Sequence, residues 1–227
     1  NAHSVYLKRG LALTPVQFGI SFTLKHLNQA GALIHVYQDG SIHVNHGGTE
    51  MGQGLHTKVA SIVARVFGVS IDCVRITATH TGKVPNASPT AASSGTDLNG
   101  MAAHNAASVI RARMAQQAAL EWNVSPDAIA FRDGHVFAGM LSMPFAELAK
   151  KCRLARVQLS HAGFYKTPKI DWDRATQTGR PFLYFSYGAA CSEVAIDTLT
   201  GEMKLLRVDI LHDVGPSLSL GIDRGQI

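Results

Sequence analysis

The chain has 227 residues, of which 46% are hydrophobic and only 16% charged, with a formal net charge of +5. That length supports one large domain or two small ones, and the charged fraction sits below the roughly 25% of an ordinary soluble domain. A chain so sparsely charged is expected to bury outer surface against other protein, and its singly scattered basic residues exclude a clustered nucleic-acid face. Lys150, Lys151 and Arg153 form a short run, but at a predicted helix end, where carbonyl groups favour cations. Cys73, Cys152 and Cys191 are far apart and form no Cys-x-x-Cys pair. They predict reduced, buried thiols in the cytoplasm and no zinc or iron–sulfur site of this segment's own. No apolar run reaches bilayer length.

In chain order, the apolar run from Gln17 to Leu24 reads as a strand. Ala32 to Tyr37 and Ser41 to His46 flank Asp39-Gly40, a dipeptide suited to a two-residue type I′ hairpin turn. Leu55, Val59, Ile62, Val63 and Val66 recur at helical spacing, with Gly68 placed as a C-terminal cap. An alanine-rich stretch from Asp97 to about Trp122 predicts a long helix with a face of Leu98, Met101, Ala102, Val109 and Ile110. Asp133-Gly134 repeats the hairpin signal between Ala128–Arg132 and His135–Ala138. A shorter helix follows Pro144, carrying Phe145, Leu148, Ala149 and Cys152 on one stripe. Cys191–Asp197 and Glu202–Leu211 predict a third hairpin. Strands joined as hairpins and packed against helices give an α+β fold with mixed or antiparallel sheets. A division near residue 160 would make two subdomains, about 1–160 and 161–227.

The stretch from His46 to Lys58 places Gly47, Gly48, Gly52 and Gly54 between a strand and a helix. Glycine permits positive φ and close approach of backbone to a ligand, and the first amides of a helix have no internal partners. The pair makes a donor surface for an anionic or heteroatom-rich ligand, or a tight turn with no ligand. A polar, proline-punctuated connection from His80 to Thr96 ends in Ser88-Pro89-Thr90-Ala91-Ala92-Ser93-Ser94-Gly95-Thr96. Connections that long inside a domain are functional or disordered. Two loop-to-helix junctions, at Gly52–Gly54 and Ala91–Thr96, thus share one design; pointing the same way, they would grip opposite sides of one large ligand, and the other reading of the second is a solvated loop.

Ordered motifs run through nearly the whole chain. They are Lys8-Arg9-Gly10, Phe18-Gly19-Ile20-Ser21-Phe22-Thr23, Leu27-Asn28-Gln29-Ala30-Gly31-Ala32, the glycine stretch, and Pro85-Asn86-Ala87-Ser88-Pro89-Thr90-Ala91-Ala92-Ser93. Gly163-Phe164-Tyr165, Tyr187-Gly188-Ala189-Ala190-Cys191-Ser192-Glu193-Val194 and Asp213-Val214-Gly215 follow. This succession resembles the molybdenum-binding part of the xanthine dehydrogenase family of molybdenum hydroxylases, above all its bacterial large subunit.

The resemblance implies a fragment of the domain that binds a molybdenum–pyranopterin (molybdopterin) group through dithiolene sulfurs, so no His, Cys or carboxylate ligand set is expected. His46, His56 and His161 are then read as ordinary polar residues. By position, Met51, Gly52, Gln53 and Gly54, with Thr90, Ala91, Ala92 and Ser93, match cofactor-contacting residues. Ala92 is the small residue beside molybdenum, without ligating it. Phe22 and Thr23 match substrate-side residues. The implied parent hydroxylates hypoxanthine and xanthine with oxygen from water. Electrons leave through [2Fe-2S] clusters and FAD to NAD, in a smaller partner subunit, within a dimer of heterodimers.

The family's catalytic glutamate belongs to a Gly-Glu-Pro-Pro segment that this sequence lacks, and neither Glu50 nor Glu193 replaces it. An excised segment without catalytic residues, inactive alone, is expected. Ser217-Leu218-Ser219-Leu220 stands where relatives carry Ser-Leu-Asn-Pro, so no site is carried there, and Gly95 stands where some relatives bear serine. Alternatives are an aldehyde oxidase or another N-heterocycle hydroxylase, and a noncatalytic interaction domain keeping the fold.

Overall fold

The computed structural model describes residues 4–83 and 87–227, so Pro85 and Asn86 of the serine–proline motif lie outside the described residues. The elements in order are β1 (Leu7–Ile20), β2 (Gln29–Val36), β3 (Ile42–His46), α1 (Leu55–Phe67), β4 (Val74–Ile76), α2 (Gly95–Trp122), β5 (Ala130–Arg132) and β6 (His135–Ala138). Then come β7 (Leu141–Pro144), α3 (Phe145–Leu154), β8 (Ser160–Lys166), β9 (Asp171–Asp173), β10 (Thr178–Arg180), β11 (Tyr184–Asp197), β12 (Met203–Asp213) and α4 (Leu220–Gln226). The fold is α+β. Contacts divide it into two compact units, one of residues 1–20 and 182–217, the other of 21–181 and 218–227. A boundary near residue 160 would cut a sheet, because β8 pairs with β2 from Gln29↔Lys166 to His35↔Ser160.

In the larger unit the main sheet runs β4-β3-β2-β8. Strand β2 alternates strictly, burying Ala30, Ala32, Ile34 and Val36, as a strand with one covered face must. These side chains join Val59, Val63 and Phe67 of α1 and the alanines of α2 in one core. Between the antiparallel β2–β3 pair and the parallel β3–β4 pair, α1 serves as the crossover. The first hairpin differs from expectation. Only Gly40 takes positive φ (83°), while Tyr37 N–H donates to Ser41 O at 2.9 Å, leaving a three-residue loop rather than a type I′ turn. Asp133 and Gly134, at φ 51° and 73°, do form the predicted two-residue turn between β5 and β6. Met101 was expected on the buried face of α2, yet it is exposed; Ala103, Ala106 and Ala107 are buried in its stead.

In the smaller unit β1, β11 and β12 form one antiparallel sheet, with β11 central. The strand expected over Gln17–Leu24 instead starts at Leu7 and stops at Ile20. The strand passes through Pro15, which β1 tolerates because it is an edge strand. The third hairpin, β11–β12, is present and longer than expected. Leu11, Leu13, Ile210 and Leu211 are 70–78% exposed, in keeping with the low charge content. Of the three free cysteines, Cys152 is buried and its thiol pushed up to about 12 by burial and then by the Glu121 charge, whereas Cys73 and Cys191 are only half-buried, short of the buried state expected.

The closest backbone approach lies between α2 and β8. A Cβ on Gly163 would stand 2.1 Å from Ala102 O and 2.7 Å from Ala106 N. Gly163→Ala is therefore expected to destabilise the protein by roughly 1–3 kcal/mol through overpacking. Gly31→Ala, whose added Cβ would meet only Gly163 O at 3.7 Å, should stay within about 0.5 kcal/mol of wild type in the same denaturation assay.

Candidate functional site

The glycine turn leaves β3 at His46 and enters α1 at Leu55, with Gly54 in the left-handed region at φ 79°. A Cβ at Gly54 would lie 2.5 Å from Ile222 of α4, and one at Gly48 would lie 2.5 Å from Leu55 and 2.7 Å from Asn99. These two glycines admit packing rather than ligand. Gly52, at φ 100°, has nothing within 4 Å of where its Cβ would stand, and faces open space.

Four amides at this turn, those of Met51, Gly52, Gly54 and His56, are taken by its own side chains. Glu50 Oε1 accepts the N–H groups of Gly52 at 3.0 Å and Gly54 at 2.9 Å, and Oε2 accepts that of His56 at 2.9 Å. Burial works to raise the Glu50 pKa, but the three amide bonds and the His56 charge together hold it below the ordinary value. Gln53 also turns inward, its Oε1 accepting Met51 N–H at 2.6 Å and its Nε2 donating to Thr49 O at 2.9 Å. The second loop is tied to the first through Thr90, whose Oγ1 accepts Thr49 N–H at 2.8 Å. Ala92 and Ser93 follow at φ 55° and 54°, a left-handed conformation that costs a non-glycine residue on the order of 1–3 kcal/mol.

Both loops open onto one cavity of about 470 Å³, lined by Met51, Gln53, Thr90, Ala91, Ala92 and Ser93 among others. The expected convergence of the two junctions is thus present in the geometry. Leu55, Lys58, Gly95, Thr96 and Gln226 complete the lining; Gly95 and Thr96 belong to the Ala91–Thr96 junction singled out from sequence, whereas Leu55, Lys58 and Gln226 were not read as site residues. Lys58 had a readable signal, since a helix starting at Leu55 puts it on the first turn. Gln226 had none, because α4 was not foreseen. The Lys58 ammonium meets Asp223 at 3.0 Å. Gly52 and Gly54 shape the turn without lining the cavity, and Phe22 and Thr23 also lie outside its lining. The backbone of Phe22 is fixed on both sides by the buried Asn28 side chain, which accepts its N–H at 2.8 Å and donates to its carbonyl at 2.8 Å. With amide, hydroxyl, ammonium and small apolar groups, this donor set suits a heteroatom-rich organic group rather than a bare metal ion. Among the described residues no three His, Cys, Asp or Glu side chains group as metal ligands.

Behind the turn lies a pair of histidines that sequence reading had treated as ordinary. His46 is 1% exposed, and its ring meets His56 edge-on at a centroid distance of 5.2 Å. His46 Nδ1 accepts Gly48 N–H at 3.1 Å, and the Nε2 atoms of both rings are buried without a partner. Burial first, then the His56 charge, push the His46 pKa down to about 4, against an opposing pull from Glu50. The unfolded chain takes up this proton near 6.5, so between about 6.5 and about 4 the unfolded state binds more protons and stability falls as pH falls. The contribution is fully present above that window and is on the order of 3 kcal/mol. In thermal unfolding across the window, wild type should lose stability relative to His46→Asn, whose side-chain oxygen accepts from Gly48 without titrating. Parallel curves would show that His46 is not held neutral.

The whole chain, residues 1–227, matches the molybdopterin cofactor-binding domain family. It is 49% identical over 230 residues to a xanthine dehydrogenase of Dictyostelium discoideum, covering all of this chain and 16% of that protein. It is 48% identical over 227 residues to a rice xanthine dehydrogenase (Oryza sativa subsp. japonica), covering all of this chain and 15% of the relative. The chain therefore spans about a sixth of the curated relatives it matches. Its fold matches that of a quinoline 2-oxidoreductase from Pseudomonas putida 86 with a TM-score of 0.81 at 22% identity, over all of this chain and 29% of that one. An aldehyde oxidoreductase from Desulfovibrio desulfuricans gives 0.73 at 20% identity, over 98% of this chain and 22% of that one. The chain belongs to the molybdopterin cofactor-binding domain family, and it is 48–49% identical to the two xanthine dehydrogenases named above.

Proposed function

We propose that this chain forms one wall of a molybdenum–pyranopterin site within a larger enzyme that hydroxylates hypoxanthine and xanthine. The observation that carries this reading is the meeting of Gln53 and Ala92, from loops far apart in sequence, on one cavity. When bound, the group supplies the oxidation of an electron-poor ring carbon with oxygen from water. The residues of this chain hold and orient it. Gln53 spends one acceptor and one donor inside its own turn, leaving a second lone pair and a second N–H for the pterin. Met51, Thr90, Ala91 and Ser93 line the same cavity, while Gly52 and Gly54 set the turn. Ala92 keeps space for the metal. Phe22 offers a ring face to a flat purine, a contact worth about 0.5–1.5 kcal/mol beyond its area, and Thr23 a hydroxyl for orientation.

The proposed parent passes electrons through [2Fe-2S] clusters and FAD of a partner subunit to NAD, as a dimer of heterodimers. A cytoplasmic setting is supported by three free cysteines and by the absence, among the described residues, of a helix long and apolar enough to cross a membrane. The chain alone is proposed to be silent. Glu50 is occupied by three amides, and Glu193 pairs with Arg9 at 2.5 Å, so neither carboxylate is placed for proton transfer. Purine-dependent dye reduction by the isolated chain supplied with cofactor would contradict this.

The full-length protein is expected to contain molybdenum and pterin and to turn over xanthine much faster than benzaldehyde. Ala92→Leu should lower its molybdenum content about tenfold or more by filling the cavity, with the fold intact by circular dichroism. A protein free of molybdenum would favour a noncatalytic domain, and benzaldehyde turnover without xanthine turnover an aldehyde-oxidising one.

A further inference from the structure

The glycine turn contains an anion of its own. Oε1 of Glu50 collects two amides and Oε2 a third, all within 3.0 Å, and the two glycines concerned have positive φ (100° and 79°). This is the arrangement by which a strand-to-helix glycine loop usually receives a phosphate or carboxylate from outside. We propose that Glu50 is a positioning residue for the cofactor cavity, its carboxylate acting as an internal stand-in for an external anion that locks the turn in its receiving shape. The proposal rests on the reading that the cavity holds the cofactor.

Three features support a locking role rather than a catalytic one. The carboxylate makes its bonds within six residues of itself, to Gly52, Gly54 and His56, so it acts on local backbone. Gln53, which lines the cavity, stands inside the segment so closed, and its side chain bonds back to Met51 and Thr49. Thr49 in turn anchors the second loop through Thr90. A change at Glu50 thus reaches both lips of the cavity in two steps. Charge matters as well as shape: a carboxylate accepts at both oxygens, whereas a glutamine would point an NH₂ group at one backbone N–H or more.

The test uses the full-length protein and three readouts: molybdenum retained after dilution, deuterium exchange of the peptide spanning Gly52 to His56, and both repeated with added acetate. In Glu50→Ala, loss of charge-assisted bonds should speed cofactor loss and local exchange by at least about tenfold, while peptides from β2 and α2 keep wild-type exchange. Acetate, entering the emptied cradle, should reverse both effects. Glu50→Gln, which fills the cradle, should show the defects without acetate rescue. The proposal is overturned if Glu50→Ala keeps cofactor and exchange at wild-type values. It is equally overturned if the variant loosens β2 and α2 as well and acetate restores nothing, which marks a general folding role. A wild type lacking molybdenum overturns the cofactor reading instead, and the exchange and acetate arms then still decide whether Glu50 locks the turn.

Discussion

The position of α2 controls the site, and small side chains control α2. At its first turns a Cβ on Gly100 would stand 2.6 Å from Ile62 of α1, and farther along Ala102 and Ala106 meet the bare backbone of Gly163 on β8. Helix α2 is thus pressed against a helix on one side and a strand on another, at distances that only glycine and alanine permit. The loop carrying Thr90 to Ser94 is the lead-in to this helix, and the glycine turn is the lead-in to α1. Fixing the two helices against each other fixes the distance between the two lead-ins, and so the width of the cavity.

Much of this was legible in the sequence because it depends on periodicity and on glycine. The β2 alternation, the α1 stripe ended by Gly68, and the Asp133-Gly134 turn each follow from a local rule. The glycine turn was located correctly but its chemistry was misjudged. Glycines before a helix announce available amides, and nothing in the composition said that Glu50, two residues ahead of Gly52 and four ahead of Gly54, would consume them. The left-handed pair Ala92–Ser93 was equally hidden, since alanine and serine carry no signal for positive φ and adopt it here only because the surrounding structure imposes it. His46 was hidden for a different reason. It is buried with the His56 ring of α1 edge-on against it, a tertiary fact.

Stability and recognition are shared unequally between the two lips of the cavity. The glycine lip is satisfied by its own Glu50 and Gln53 and by Thr90 of the facing loop, so it is preorganised, and a ligand meeting it need not order it. The other lip carries two residues in a sparsely populated conformation, and Ser94 ahead of α2 makes no side-chain capping bond. The first lip is closed by side chains that accept from its own amides, the second by Ser94, whose N–H and Oγ both donate to Ala91 O. With the Gly52, Gly54 and His56 amides taken by Glu50, discrimination among ligands falls to polar side chains of residues that line the cavity: Gln53, Ser93, Thr96 and Lys58, whose ammonium meets Asp223. A polar, neutral, heteroatom-rich group satisfies that set better than a simple anion, which would find its natural cradle already filled.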